Sequence, residues 1–542
     1  MSVALFPHQQ ELLDRTWDLP AWAVFYGTGV GKSCPMIHTA ARLFGEGKID
    51  GAIVIAPNGV HRAWVEDEIP KHCPVPWRAL DWHSSRGKGQ DRELEELCRQ
   101  RAGLPWLAIT YDAAITPRGR QAVLDFLARY RRALLVVDES SRVKNPSATR
   151  TKKVAALRKL CTYARILNGT PVTQAPTELY AQIKLLDEDF WQRRGIASYT
   201  SFRARFCVMK KIVVGGEDDR VDRADAGKLV STPHVGTREG AAAYEQLDLT
   251  GFTALDAPEL PPPEQDQESS LPPPKATTGR TIEIVVGYRD LDKLNAMIQP
   301  ISTRLTKEQA GLNLPPKLYQ RLVFEMVPEQ RRVYDQLRKE FMVELEGGKL
   351  VAANIAMVRI TRLQQVACGY LPDPDDPSGE TKIAIPGIAN PRIAAFRDWL
   401  EDNKDPMIVW ARFTHDVDQL VQELGPAKCV RYDGLVDEKG KAKALELFRG
   451  GKRQVCVAKA ASMGVGLTLV NSAISFYYSN TFSLYERLQS EDRQHRPGQH
   501  NPVTYVDLIA DCSVDGKILT ALKAAKSVAD EVTGDAYRAW LE

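Results

Sequence analysis

A strand-like apolar run, Ala21 to Tyr26, breaks into Gly27-Thr28-Gly29-Val30-Gly31-Lys32-Ser33 and resumes as the helix-patterned stretch Met36 to Phe44. A buried strand that feeds a glycine-rich turn and then a helix belongs to a parallel α/β layer, and the turn is shaped to take phosphate. Glycines let the backbone curl until successive amides face one anion, and the helix N-terminus adds a favourable dipole. In such a loop Lys32 reaches the β and γ phosphates and the Ser33 hydroxyl ligates magnesium, which makes Mg2+ and ATP the expected cofactors. Pro35 suits the first helical turn, where its missing donor matters least. Tyr26 stands where the widest form of the pattern carries glycine, but the core Gly29-x-Gly31-Lys32-Ser33 is kept.

Other apolar runs extend the same layer: Ala52 to Ala56, Trp106 to Ile109 and Leu134 to Val137, separated by stretches of helical period. Runs buried on both faces and joined by helices predict a parallel sheet with helical crossovers. The rhythm returns at Met407 to Trp410, Val455 to Ala458 and Ala473 to Tyr477. Two α/β domains follow, over 1–190 and 388–515. Residues 191–387 between them carry a Pro-rich acidic linker over 254–279, which cannot bury enough apolar surface to fold. Helical spacing over Val327 to Leu345 and Asn354 to Ala367 predicts helical protrusions, and 516–542 reads as a bracing helix.

The 72 basic and 69 acidic residues nearly cancel, so any nucleic-acid surface must be a local stripe rather than a global field. Nine cysteines stand singly with no C-x-x-C pair, which excludes a cysteine zinc centre and fits a reducing cytosol. With no leader pattern at the N-terminus and no run of about 18 apolar residues, the expected place is the cytoplasm.

Leu134 to Val137 ends in Asp138-Glu139, two carboxylates at the tip of a buried strand, where open α/β sheets collect ligands. Asp138 is the candidate to hold magnesium and Glu139 the candidate to orient and deprotonate the attacking water. Late in the chain, Gln489 to Gln499 contains Arg493 and Arg496. Their spacing of three predicts a shared helix face from which both reach one triphosphate.

Read together, these motifs resemble the superfamily 2 helicase-like ATPases, in the Swi/Snf-type branch of double-stranded DNA translocases. Leu5 to Gln9 looks like the family's opening element, which implies that Gln9 reads adenine. Gly29 to Ser33 is similar to motif I, Ile53 to Pro57 with Trp64 to motif Ia, and Ile109-Thr110-Tyr111 to motif Ib. Asp138 to Asn145 resembles motif II with a lysine-asparagine extension, and Leu167 to Val172 resembles motif III. Ile408 to Thr414 looks like motif IV, Ser462 to Thr468 like motif V and Gln489 to Gln499 like motif VI. The chain departs from the pattern at Ser141, Asn168 and Thr173-Gln174, beside the elements that link ATP state to DNA grip.

The resemblance implies two RecA-like parallel-sheet domains, helical protrusions and an inserted linker region. ATP would lie between the domains, against Gln9, Gly27 to Ser33, Asp138 and Glu139 on one side and Gln489, Arg493 and Arg496 on the other. It implies a DNA track of Trp64, Thr110, Lys144, Arg412, Thr414, Ser462 and Thr468. The partner is then DNA, double-stranded or branched, held by its backbone without sequence preference, and the middle insertion offers a surface for a protein partner. The rival readings are a strand-separating or branch-migration helicase, a decayed DNA-binding scaffold and the motor subunit of a defence complex. A short chain without chromatin-reading modules points to a bacterial or viral setting.

Overall fold

A computed structural model of the chain describes residues 4–83, 87–100, 102–169, 171–172, 175–214, 280–346, 353–372, 382–384, 390–462, 467–520 and 522–523. The Pro-rich segment, Thr173-Gln174, Met463 to Gly466 and most of the expected C-terminal helix lie outside the described residues.

Strands β1 (Ala21–Tyr26), β2 (Gly51–Ala56), β3 (Trp77–Trp82), β4 (Leu104–Thr110), β5 (Ala133–Asp138) and β6 (Tyr163–Leu167) come first. β7 (Cys207–Val214) and β8 (Arg280–Tyr288) pair antiparallel with each other, and β9 (Ser302–Leu305) follows. The first sheet has the order β3-β4-β2-β5-β6-β1-β9 and every neighbouring pair is parallel. β2 and β5 sit inside it with all residues buried, which is why their sequences are continuous apolar runs. β3, at one edge, is only partly buried.

Strands β10 (Lys317–Phe324), β11 (Tyr370–Pro372), β12 (Lys382–Ala384), β13 (Met407–Trp410), β14 (Cys429–Tyr432), β15 (Val455–Ala458), β16 (Ile474–Tyr477) and β17 (Val503–Ala510) complete the set. The second sheet runs β10-β17-β16-β13-β15-β14, again parallel throughout. Its core gathers Ile408, Trp410, Phe448 and Tyr505, and that of the first sheet gathers Val54, Trp64, Trp106 and Val136.

The chain divides into two compact units. Residues 1–206, 290–325 and 389–542 carry both parallel sheets; 207–289 and 326–388 form the other unit. Residues 290–325 therefore belong with the sheets, supplying β9 and β10, although they lie inside the 191–387 span read from the sequence as protrusion. The second unit holds the β7–β8 ladder, the β11–β12 pair and the helices Pro328–Glu346 and Ala353–Ala367. Buried Gln330 ties those helices by donating to the Val366 carbonyl at 2.7 Å. Among the described residues no helix is long and apolar enough to cross a membrane.

Candidate nucleotide site

The loop after β1 is held by backbone and closed by its neighbours. Gly27 N–H donates to the Leu305 carbonyl at 2.9 Å, so β9 anchors the start of the loop. Gly29 and Gly31 have φ of 87° and 84°, a region costly for any residue with a Cβ. A Cβ on Gly31 would also collide with the Gln9 amide, and one on Gly29 would lie 3.5 Å from Arg496 Cγ. Lys32 caps the helix Ser33–Gly45 without a side-chain acceptor, which leaves the first-turn amides open to an anion. Its Nζ donates to the Tyr26 carbonyl at 3.2 Å.

Gln9, in the helix Pro7–Thr16, lies against this loop. Its Nε2 donates to the Gly31 carbonyl at 3.0 Å and its Oε1 accepts from Phe6 N–H at 2.9 Å. One amide hydrogen and one oxygen lone pair remain for a ligand. Tyr26 is buried at the end of β1, and its hydroxyl donates to the His8 carbonyl, which fastens the same helix to the strand.

β5 delivers Asp138 and Glu139 into a dry setting, 6% and 3% exposed. Trp64 Nε1 donates to Asp138 Oδ2 at 2.9 Å and Glu139 N–H donates to Oδ1 at 2.9 Å. Tyr111 is also buried, and its hydroxyl donates to the Asp138 carbonyl at 2.7 Å. Glu139 has φ 55° and ψ 58°, a left-handed conformation that a non-glycine residue keeps only when its surroundings enforce it. Burial pushes both carboxyls up. Glu139 rises to about 7, with the charge of Lys32 acting against burial and that of Asp138 adding to it. Two adjacent carboxylates in a dry pocket call for a cation.

The arginines come from the second sheet's side, but not on a helix face. The helix Leu484–Glu491 ends at the cap Asp492, and Arg493 to Gly498 follow as turns, with Gly498 at φ 96°. The expectation of a shared helical face is corrected, because the helix stops before either arginine. Both still lie near enough to the acidic pair for their charges to act on Glu139. Burial and the neighbouring Arg496 lower Arg493 to about 10, still charged at neutral pH. Arg496 Nη1 donates to Thr468 Oγ1 at 3.2 Å and its Nε to the Asp492 carbonyl at 2.6 Å. Gln489 is half-buried on the preceding helix, and no hydrogen bond ties it to the phosphate loop.

Sequence reasoning missed Lys307. Its Nζ donates to Asp492 Oδ1 at 2.6 Å and to the His495 carbonyl at 2.7 Å, so the segment after β9 grips the turns that carry the arginines. Lys317 similarly meets Glu491 at 2.9 Å. The partners pull in opposite senses: burial lowers Lys307, whereas Lys307 and Lys317 hold Asp492 down at about 2 against its own burial. At a 2.6 Å contact both groups are charged at neutral pH. Tyr485 was likewise missed; it lies half-buried beside the acidic pair, whose backbone the motif Ib residue Tyr111 holds by its hydrogen bond to the Asp138 carbonyl.

The expected DNA contacts separate into three kinds. Trp64 is 1% exposed and its only polar atom is spent on Asp138, so it is a core residue and not a surface contact. Thr110 ends β4, accepting from Ala113 N–H as a helix cap, and Lys144 follows β5, paired with Glu178 at 2.5 Å. Arg412, Thr414 and Ser462 gather beyond the carboxyl ends of β13 and β15, where Lys459 Nζ donates to Thr414 Oγ1 and Arg412 lies over the Phe413 and Phe482 rings. Thr468 instead faces Arg496. Of the departures from the family pattern, Ser141 and Asn168 are buried, and Asn168 Nδ2 lies 3.4 Å from Gln182 Oε1.

Residues 25–228 match the SNF2-related domain and residues 391–498 match the helicase conserved C-terminal domain. Chromodomain-helicase-DNA-binding protein 1-like of Mus musculus is 21% identical over 501 residues, covering 90% of this chain and 45% of its own. ATP-dependent helicase FUN30 of Saccharomyces cerevisiae is 22% identical over 520 residues, covering 90% and 43%. The chain thus spans less than half the length of these curated relatives. A Caenorhabditis elegans homolog of SWI/SNF-related matrix-associated actin-dependent regulator of chromatin subfamily A-like protein 1 is 31% identical over 210 residues, covering 38% and 26%. A solved Sulfolobus solfataricus SWI2/SNF2 ATPase core in complex with dsDNA aligns with a TM-score of 0.37 at 16% identity, over 100% of this chain and 96% of that one. On its two matched domains, the chain is a member of the superfamily 2 helicase-like ATPases, in their Swi/Snf-type branch.

Proposed function

We propose that the chain is a DNA-dependent ATPase that uses hydrolysis to track along double-stranded DNA and to remodel DNA structures or protein–DNA complexes. The observation that carries the reading is the convergence on Glu139 of the charges of Lys32, Arg493 and Arg496, drawn from two different sheets. A bound magnesium nucleotide fits the residues present: uncapped helix amides, a loop whose positive-φ glycines leave its backbone bare and a dry carboxylate pair. Magnesium-bound ATP, when present, supplies the phosphoanhydride whose hydrolysis drives the cycle.

In this reading the loop amides and Lys32 bind phosphate oxygens, while Ser33 and Asp138 hold the ion. Trp64 keeps Asp138 oriented through its indole hydrogen bond. Glu139, lifted toward neutrality by burial, accepts a proton from water and holds it. Arg493 and Arg496 offset the charge that grows on the leaving phosphates. Gln9 reads the adenine edge with its remaining donor and acceptor, and Gln489 completes the arginine side.

DNA then lies along the carboxyl rims of the two sheets, against Thr110 and Lys144 on one and Arg412, Thr414 and Ser462 on the other, while Thr468 stays with Arg496. Such contacts address phosphates and sugars, so affinity falls steeply with salt and varies little with sequence. Each cycle shifts one grip relative to the other through a difference in affinity between nucleotide states. The assigned domains, 1–190 and 388–515, are the two grips, in a chain acting in the cytoplasm.

The test is ATP hydrolysis without nucleic acid, with single-stranded DNA and with duplex, beside Glu139→Gln. Duplex stimulation that vanishes in the variant supports the proposal. Preference for single strands favours a strand-separating helicase, and no stimulation by either overturns it.

A further inference from the structure

Outside the phosphate loop, the acidic pair and the arginines, three metal-competent side chains meet on the first sheet. Asp81 and His83 stand two apart at the carboxyl end of the edge strand β3, so they face the same way. His61 comes from the short helix Val60–Ala63, which follows β2 and leads into the π turn Trp64–Glu68. His61 Nε2 and His83 Nε2 are 3.1 Å apart, and His83 Nε2 is 2.8 Å from Asp81 Oδ2. All three ligand atoms lie within 4.8 Å of one another.

Hydrogen bonding alone serves this arrangement poorly. His83 Nε2 faces both a carboxylate oxygen and a second imidazole nitrogen, and a single proton on it can be shared properly with only one of them. A cation serves all three at once. A tetrahedral zinc with bonds of roughly 2.0–2.2 Å sets its ligand atoms about 3.3 Å apart, near the separations found.

The surroundings are built to hold the ligands still. Gln90, 1% exposed, accepts from His83 N–H at 2.5 Å and donates to the Asp81 carbonyl at 3.1 Å, fixing the backbone that carries both. His61 is fully buried, so its ring is held in place by the packing around it. Arg62 Nε lies 3.7 Å from Asp81 Oδ2 and already shares its charge. That disfavours a hard, oxygen-seeking ion and favours one that bonds imidazole.

We propose that His61, Asp81 and His83 bind one divalent transition ion of the zinc class, distinct from the magnesium of the nucleotide site, with water as a further ligand. The ion would clamp the rim of β3 to the segment that carries Trp64, and so stiffen the support of Asp138 without taking part in hydrolysis.

The experiment titrates the full chain, free of nucleotide, with zinc by calorimetry and with cobalt by visible absorption, beside His83→Gln and Asp81→Asn. Cobalt separates this site from adventitious thiol binding, because a nitrogen and oxygen site gives tetrahedral ligand-field bands without thiolate charge transfer. One equivalent in the wild type, weakened at least about 100-fold in each variant, is expected, with a zinc-dependent rise in unfolding temperature that His83→Gln abolishes. Circular dichroism of the metal-free variants checks that each folds. Equal stoichiometry and affinity in wild type and variants, thiolate bands alone, or no binding at all overturns the proposal.

Discussion

Replacing Lys307 by methionine removes the side chain that joins the segment after β9 to the arginine-bearing turns. Two charge-assisted hydrogen bonds are lost, at 2.6 Å to Asp492 and 2.7 Å to the His495 carbonyl, each worth about 1.5–3 kcal/mol. Burying the methionine tip in place of the ammonium returns about 1–2 kcal/mol and spares its desolvation. Asp492 keeps the weaker attraction of Lys317, at 3.9 Å, and of Arg496. The net loss works out at about 2–4 kcal/mol, a factor of roughly 30 to 1,000 in the equilibrium for opening this contact. Urea unfolding followed by tryptophan fluorescence measures it, read on the first transition because a chain of this size need not unfold in one step. The same titration on Asp492→Asn and on the double variant closes a cycle, with a coupling of at least about 1.5 kcal/mol expected. A Lys307→Met loss below about 1 kcal/mol, or additive single effects, would refute the claim that this pair holds the arginines in place.

Three further outcomes follow from the site. Trp64→Phe keeps the ring but removes the donor to Asp138, and at about 1.5–3 kcal/mol for a bond to a charged group the magnesium needed for half-maximal ATP hydrolysis should rise about 10- to 100-fold; an unchanged requirement would show that Asp138 is oriented without the indole. Gly31→Ala strains a φ of 84° and strikes the Gln9 amide, so fluorescent ATP binding should weaken at least about tenfold, whereas Gly47→Ala, at φ 63° with open space around it, should leave nucleotide binding alone. Although burial raises Glu491, Lys317 and Arg487 hold it at about 2, below its ordinary 4.5. A depressed carboxyl stabilises above the unfolded value and loses that contribution as pH falls through the folded one, so unfolding temperature should drop between about pH 4.5 and 2. Glu491→Gln should be less stable at neutral pH and flatter across that window, and an equal slope in both proteins would count against the pairing.

What the sequence made legible was local. The phosphate loop and Asp138-Glu139 announce themselves because a buried parallel strand, its glycine turn and its following helix are contiguous, so their pattern survives without any knowledge of tertiary structure. Lys307 had no such signature: its partner Asp492 is 185 positions away, and a lysine in a polar stretch looks like any solvated charge. β9 is only four residues, Ser-Thr-Arg-Leu, too short to carry a period, and β10 mixes polar and apolar residues because it is an edge strand. Trp64 was legible as part of a motif but not in direction, since the choice between core and surface depends on which way the π turn rotates it. The arginine spacing was right and the inferred helix wrong, because the distance between two side chains does not record that the backbone has left the helix at Asp492.

The strand that opens into the phosphate loop has one neighbour, β6, made about 140 residues after it and another, β9, made about 280 residues after it, as the hydrogen bond from Trp22 to Thr303 records. During synthesis the outer edge of β1 therefore waits unpaired, with the loop's first amide still lacking the Leu305 carbonyl, until the first part of the other unit, residues 207–289, has also been made. An open edge on a nearly finished sheet is a template for pairing with another chain. A fragment cut between residues 172 and 302 would keep every motif of the first sheet and still lack the strand that closes it, so such a fragment is a poor vehicle for studying nucleotide binding.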